Sequence, residues 1–374
     1  MANIPFICGS DIKENPVFYS KYSKYKILFS DYLTTDFIEE LITFGKSSNT
    51  RSVFISDDDR AILSFSKHRD KLQNYFHFNL PEHKIVDDLL NKKRFSLIAD
   101  KFHLPVPITF IPENCNDIDA IACKINYPCV IKPSYRELWW VPEFKKVFGA
   151  YTKVIHCNNK SELLSNYDKI KNVNPDVIIQ ESVVGPDSQL FSVNMYINKN
   201  GELLGIYAAQ HKSIYPIHGG VGSLVETVDA PHLIKLSIEI AHKLNIIGFF
   251  NIQYKKDIRT NELKILEVQF RNSMWCSLGA QSGANVIAIG YYDMVGLEYP
   301  YSKQARAGVK YIDIIRDLLA LKDYWKNGEL TLLEWLNTRR GEVTYAIVSW
   351  KDPLPLITNL WFSFKNSLGK RNEK

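Results

Sequence analysis

The chain has 374 residues, too many for one small core, so two or three domains are expected. Hydrophobic residues make up 45% and charged residues 23%, the balance of a soluble globular protein. The formal net charge is only +5 and no long basic block stands outside the tail, which argues against a nucleic-acid partner.

In chain order, Tyr25 to Phe29 reads as a strand, Asp36 to Phe44 as an amphipathic helix and Ser52 to Ser56 as a second strand. That order predicts a parallel α/β sheet. Asp57-Asp58-Asp59 follows the second strand, where open α/β sheets place ligands, although a solvated turn is the simpler role. A helix is predicted from about Val86 to Phe102, ended by Leu104-Pro105-Val106-Pro107. Further strands are expected at Pro128 to Ser134, Val177 to Val183, Phe191 to Asn198 and Glu202 to His211. Lys199-Asn200-Gly201 makes a hairpin turn between the last two. Leu233, Leu236, Ile240 and Leu244 fall at helical spacing, and Gly248 to Tyr254 with Glu262 to Phe270 predict an antiparallel pair. The middle of the chain is thus α+β, unlike the α/β start.

The segment Ile265-Leu266-Glu267-Val268-Gln269-Phe270-Arg271 is the most informative. Alternation along a strand puts Glu267, Gln269 and Arg271 on one face and Leu266, Val268 and Phe270 on the other. Glu267 and Gln269 offer hard oxygen ligands suited to Mg²⁺, and Arg271 a fixed cation for developing negative charge. Gln253, on the partner strand, brings a third oxygen. Lys132 closes an apolar strand where its ammonium could meet a phosphate or simply water. Gln180-Glu181-Ser182-Val183 through Gly185-Pro186-Asp187 offers acceptors at both ends and extended backbone suited to a purine edge. Gly219-Gly220-Val221-Gly222 lets backbone N–H groups approach an anion, or serves as a connector.

Taken in order, Lys92, Lys132, Gln180-Glu181…Gly185-Pro186-Asp187, Gln253 and Glu267-Val268-Gln269-Phe270-Arg271 resemble the motifs of the ATP-grasp superfamily. More closely the chain resembles the carboxylate–amine ligase-like branch, which includes D-aspartate ligase-like and surface-polysaccharide-associated proteins. The likeness covers roughly residues 15 to 355 and ends on Leu332-Leu333-Glu334-Trp335 and Ser349-Trp350-Lys351-Asp352-Pro353.

The resemblance implies a shortened parallel α/β domain (1–85), an ATP-grasp domain (86–300, with subdomains about 86–180 and 181–300) and a helical C-terminal extension with a basic tail (301–374). It implies ATP with Mg²⁺ or Mn²⁺ as cofactors. Lys92 and Lys132 would hold phosphates, and Gln180, Glu181 and Val183 would contact adenine. Asp187 would take the ribose and Lys212 a further phosphate. Gln253, Glu267 and Gln269 would bind metal, and Arg271 would stabilise the transition state of acyl transfer. The implied reaction joins a carboxylate to an amine through an acyl phosphate, on small-molecule substrates that include sugar-linked ones, in a homodimer.

Three departures stand out. The family usually has asparagine where Gln269 stands and proline where Phe270 stands. The branch also opens with a strand and glycine turn before the equivalent of Ile4-Pro5-Phe6.

Rival readings are another acceptor, a thiol or hydroxyl, on the same fold, and a nucleotide-binding pseudoenzyme that recognises a glycan or partner protein. The six cysteines show no CxxC pair or metal-ligand spacing, as expected of free thiols in a reducing cytosol. No stretch reaches the roughly 18 apolar residues of a membrane span, and no signal-peptide pattern is seen, so a cytoplasmic location is expected. In the tail, Ile357, Leu360, Trp361, Phe364 and Leu368 share a helical face, with Lys365, Lys370, Arg371 and Lys374 nearby. That helix suits either packing on the body or weak contact with an anionic inner-membrane face. The insertion Tyr135 to Tyr151, with Trp139 and Trp140, would cover the site or pack as a loop.

Overall fold

The computed structural model describes residues 4–149 and 152–372, with side chains described up to Phe362 and at Lys365. Four sheets organise it. β1 (Ile7–Ser10) pairs in parallel with β2 (Tyr25–Leu28), and β3 (Ser52–Val53) in parallel with β4 (Phe76–His77). The two expected strands, β2 and β3, thus each join a parallel pair with another partner but do not pair with each other, so the start of the chain is two small parallel sheets and not one. The helix Thr35–Ser47 between them buries Phe37, Ile38 and Leu41.

A second layer is a four-stranded antiparallel sheet of β5 (Thr109–Phe110), β6 (Cys129–Pro133), β7 (Ile155–Cys157) and β8 (Val177–Glu181), in the order β5-β8-β6-β7. The helix expected from Val86 to Phe102 is two helices, His83–Leu90 and Lys92–Phe102. Asn91 breaks them: its side chain accepts from the Lys93 and Arg94 amides and caps the second helix. This start places Lys92 beside β6, where its N–H donates to the Ser134 carbonyl at 2.9 Å.

The largest sheet comprises β9 (Leu190–Ile197), β10 (Leu203–Tyr215), β11 (Val221–Thr227), β12 (Gly248–Lys256), β13 (Leu263–Gln269), β14 (Lys310–Ile312) and β15 (Val343–Tyr345). Its order is β13-β12-β9-β10-β11-β14-β15. The β9–β10 hairpin turns at Gly201 with φ +82, a conformation open to glycine. At the start of β12, Gly248 (φ +83) passes so close to Asn79 that a Cβ would lie 2.0 Å from its carbonyl oxygen.

One face of this sheet, with Val193, Met195, Phe250, Tyr254 and Phe270, forms a continuous core with Phe37, Phe65 and Phe76 of the N-terminal part and with Leu233 and Ile240 of the helix Pro231–Lys243. The other face packs Tyr196, Tyr207 and Phe249 against Trp275, Leu278 and Ile289. The four-stranded sheet has its own core of Ile121, Ile131, Trp139, Phe144, Leu163 and Ile179. Trp139 of the expected insertion is thus a core residue, whereas Trp140 remains 39% exposed. Tyr151 lies outside the described residues.

The C-terminal extension is not wholly helical, since β14 and β15 extend the large sheet. The helix Leu354–Asn372 packs on the short helix Pro16–Tyr19, with Tyr19 and Phe362 rings 5.7 Å apart. Asp352 also accepts from the Ser20 hydroxyl at 2.6 Å, and Lys365 meets Glu14 at 2.5 Å. Ile357, Leu360 and Trp361 stay more than half or half exposed. Lys374 and the side chains of Phe364, Leu368, Lys370 and Arg371 lie outside the described residues. Among those described, no helix is long and apolar enough to cross a membrane.

Candidate active site

Strand register brings the expected acceptors together. Glu267 on β13 is paired with Gln253 on β12, which is paired with Ser192 on β9; in the next row Gln269 aligns with Asn251 and Asn194. Gln269 Nε2 donates to Glu267 Oε1 at 2.7 Å, and Gln253 Nε2 reaches Gln269 Oε1 at 3.5 Å. A bulge separates Gln253↔Glu267 from Tyr254↔Ile265, leaving Leu266 unpaired. Leu266 is therefore not a core residue like Val268 and Phe270. It walls a narrow pocket with Lys92, Thr109, Lys132 and Gln180.

Across that pocket, Lys132 Nζ donates to Gln180 Oε1 at 2.8 Å, and Gln180 Nε2 to Thr109 Oγ1 at 2.8 Å. Burial, reinforced by the neighbouring Lys92, pushes the Lys132 ammonium down to about 8 despite Glu267. Burial also lowers Lys92, against the pull of Glu267, Asp59 and Glu137. Two ammonium groups pressed together in a desolvated pocket beside one carboxylate suit a ligand with several negative charges.

Arg271 lies just past β13. Its Nε donates to Asp59 Oδ2 at 3.0 Å, and the side chain is 14% exposed. Burial opposes its charge, but Asp59 and Glu267 outweigh that and hold it above the ordinary range. Arg136 and Lys153 complete the basin. Burial lowers both, Lys153 to about 8, where Arg136 and Arg271 add repulsion and Glu267 opposes it. Glu137 is raised by burial. The arrangement can hold a polyanion, neutralise charge that builds beside it, and position an acyl group near a fixed guanidinium.

No family model matches the chain. It is 21% identical over 280 residues to D-aspartate ligase of Enterococcus faecium (strain Aus0004), covering 72% of this chain and 66% of that protein. Biotin carboxylase from Campylobacter jejuni, solved as a β,γ-ATP complex, superposes with a TM-score of 0.60 at 12% identity, over 81% of this chain and 68% of that one. L-amino acid ligase from Bacillus licheniformis superposes with a TM-score of 0.55 at 14% identity, over 72% and 63%. The chain thus spans about two thirds of the length of each. It has the ATP-grasp fold.

The four-stranded sheet carries Lys132 and Gln180, and one face of the β12–β13 pair carries Gln253, Glu267 and Gln269. The adenine candidates lie at the exit of β8. Glu181 accepts from Asn126 Nδ2 at 2.7 Å, and Val183 lies beyond the paired residues, outside the ladder. Asp187 is 4% exposed and accepts from Tyr324 and from the His218 amide.

Lys212 is not brought to this group. Gln210 is paired with both Phe191 and Glu226, so these three share the face opposite Ser192 and Gln253. Lys212 Nζ bonds Gln210 Oε1 at 2.5 Å and Glu226 Oε2 at 3.2 Å, on that far face. A register shift between His211 and Ser213 displaces it. His211 faces the near side, bonds Ser192 Oγ at 2.9 Å, and is pushed down to about 4 by burial, so it serves structure.

For a metal, the donor types fit: one carboxylate and two amide oxygens are hard ligands, and Mg²⁺ commonly relies on one or two carboxylates plus phosphates. Among the described residues no three His, Cys, Asp or Glu side chains converge.

Sequence reasoning missed Lys255, which adds to the repulsion on Lys132 and is itself lowered by burial against the pull of Asp187, as well as Arg136, Lys153, Thr109 and Tyr324, and left Asp59 as part of a turn. Lys255 carried a signal, being two residues beyond Gln253 on the same strand face. The others reach the site through long-range packing that no local pattern encodes.

Proposed function

We propose that this ATP-grasp protein is an ADP-forming ligase that phosphorylates a carboxylate with Mg-ATP and transfers the acyl group to an amine. The observation that carries the reading is the row Glu267, Gln269 and Gln253 on paired strands, ended by Arg271, with Glu267 close enough to Lys92 and Lys132 to pull on both ammonium groups, which line one pocket with Gln180. The similarity to D-aspartate ligase supports it.

In this reading Lys92 and Lys132 bind phosphates, Gln180, Glu181 and Val183 bind adenine, and Asp187 binds ribose. Glu267, with the amide oxygens of Gln253 and Gln269, would hold Mg²⁺, which supplies charge neutralisation along the phosphates when bound. A free carboxylate resists amines because oxide is a poor leaving group. Transfer of the γ-phosphoryl group to its oxygen forms an acyl phosphate and ADP; attack by the amine on the carbonyl carbon then expels phosphate. Arg271, fixed by Asp59, neutralises the oxyanion of that step, and no covalent protein nucleophile is needed. We assign Lys212 no catalytic step, given its partners Gln210 and Glu226.

The finer picture is also a proposal. It comprises a division at about residues 85 and 300, a sugar-linked substrate in surface-polysaccharide synthesis, a cytoplasmic homodimer, and tail contact with an anionic membrane. The pseudoenzyme reading draws on one observation, the Gln269 amide donating to Glu267. Two measurements separate the readings. Thermal stabilisation by Mg-ATP, lost in Glu267→Ala, is expected of both, whereas ADP release requiring a carboxylate and an amine together is expected only of the ligase.

A further inference from the structure

Asp187 stands at the start of the short helix Asp187–Gln189, directly after Gly185-Pro186. Its two oxygens are treated differently. Oδ2 accepts from the Tyr324 hydroxyl at 2.6 Å and from the His218 backbone N–H at 2.9 Å, and the His218 Nδ1 lies 3.3 Å away. Among the described residues nothing donates to Oδ1, and it is not one of the sealed, unpartnered polar atoms, so it keeps access to a ligand.

The donors come from distant parts of the chain. Tyr324 belongs to the helix Ile314–Lys326 of the C-terminal extension, 137 residues from Asp187. His218 precedes the Gly219-Gly220-Val221-Gly222 loop with φ 62, which aims both its amide and its ring at the same carboxylate. The ring is held from its other side by Glu329, Nε2 to Oε1 at 3.0 Å. The Glu329 amide in turn bonds the Tyr324 carbonyl at 2.8 Å, and the His218 and Tyr324 rings meet edge-on at 6.1 Å. Asp187, His218, Tyr324 and Glu329 therefore form one closed unit.

We propose that Tyr324 and His218 are positioning residues that turn Asp187 Oδ1 toward the ribose hydroxyls, making the C-terminal extension part of the nucleotide pocket and the source of ribose selectivity. This rests on the ATP-dependent reading given above. A carboxylate held on one oxygen loses little freedom when the other accepts a charge-assisted hydrogen bond, so its preference for a hydroxyl over hydrogen is sharpened.

The test compares Mg-ATP with Mg-2′,3′-dideoxy-ATP by calorimetric titration of the full chain. Wild type is expected to favour ATP by about tenfold in Kd, the effect of one hydrogen bond to a charged group. Tyr324→Phe keeps the ring and is expected to narrow that ratio to about twofold by weakening ATP alone, with Asp187→Asn narrowing it likewise. If Tyr324→Phe folds poorly, Glu329→Ala at an exposed position decides, because it removes the acceptor that holds the His218 ring and is expected to lower the ratio about twofold. A parallel loss of both nucleotides in Tyr324→Phe would mark a merely structural role and overturn the proposal. So would an unchanged ratio while Asp187→Asn narrows it. Failure of wild type to bind Mg-ATP would overturn the ATP-dependent reading as well, which distinguishes the two.

Discussion

Arg271 Nε and Asp59 Oδ2 are 3.0 Å apart although 212 residues separate them in the chain. The N-terminal part thereby reaches the exit of β13 and holds the guanidinium at the head of the Glu267 row. Asp59 opens the helix Asp59–Lys67, whose preceding residue, Asp58, both caps it and pairs with Arg60 at 2.8 Å, so the carboxylate approaches Arg271 from a rigid turn.

Removing that hold should impair turnover more than nucleotide binding. Asp59→Ala is expected to lower kcat by about 10- to 100-fold, the range for losing a hydrogen bond to a charged group, with KM for ATP nearly unchanged. Asp59→Asn, which keeps an acceptor, should lose less. Steady-state kinetics with both substrates varied checks this, and equal effects on KM for ATP would contradict it.

Nucleotide affinity should fall as pH rises, through Lys132. Burial and Lys92 push its ammonium down from 10.5 to about 8 in the free protein. A bound phosphate favours the charged form, so binding should take up a proton near and above pH 8 and weaken as pH rises further. Linkage has the opposite sign for folding. Because the unfolded chain binds this proton up to 10.5, the contribution of Lys132 makes the free protein more stable as pH rises from about 8 toward 10.5. Calorimetry in two buffers of different ionisation enthalpy measures the uptake, and Lys132→Met should reduce it, leaving the part contributed by Lys92 and Lys153.

The carboxylate of the metal row should be replaceable without loss of the fold. Glu267→Gln is expected to weaken Mg-ATP binding by at least about tenfold while the melting temperature of the free protein changes little, since its charge is there to meet a ligand. Thermal shift with and without Mg-ATP reports both. A large drop in the melting temperature of the free protein would instead assign Glu267 a structural task.

Asp317 carries the structural load of the C-terminal extension. It is 1% exposed and accepts from Ser213 Oγ at 2.6 Å, Trp335 Nε1 at 3.1 Å and Arg339 Nε at 2.8 Å. Asp317→Ala takes the carboxylate from the half-buried Arg339 guanidinium and removes the acceptor of Ser213 and Trp335, so a loss of about 3 kcal/mol is expected in denaturant titration. A change below about 1 kcal/mol would show that the extension is held by its apolar contacts instead.

Much of the fold was legible because it follows local rules. The period-two pattern at 265–271, the glycine turn at Gly201 and the helical spacing from Leu233 each found their element. The failures have physical causes. Asn91 looks like one more polar residue in a continuous helix, yet its side chain satisfies the Lys93 and Arg94 amides and starts a new one. Leu266 and Lys212 sit at register shifts, where one unpaired residue changes which way a side chain faces, and alternation alone gives no warning. Asp59, Lys153 and Tyr324 reach the site only through tertiary packing, so their roles required the folded chain.

The central claim is acyl activation at the Glu267–Arg271 row, and hydroxylamine tests it most directly because it replaces the unknown amine. Purified protein with Mg-ATP, hydroxylamine and a panel of amino acids and uronic acids is assayed for ADP and for hydroxamate. The account predicts carboxylate-dependent ADP release with matching hydroxamate, both lost in Glu267→Ala. Mg-ATP binding with ADP release that no carboxylate stimulates, and no hydroxamate, would contradict it.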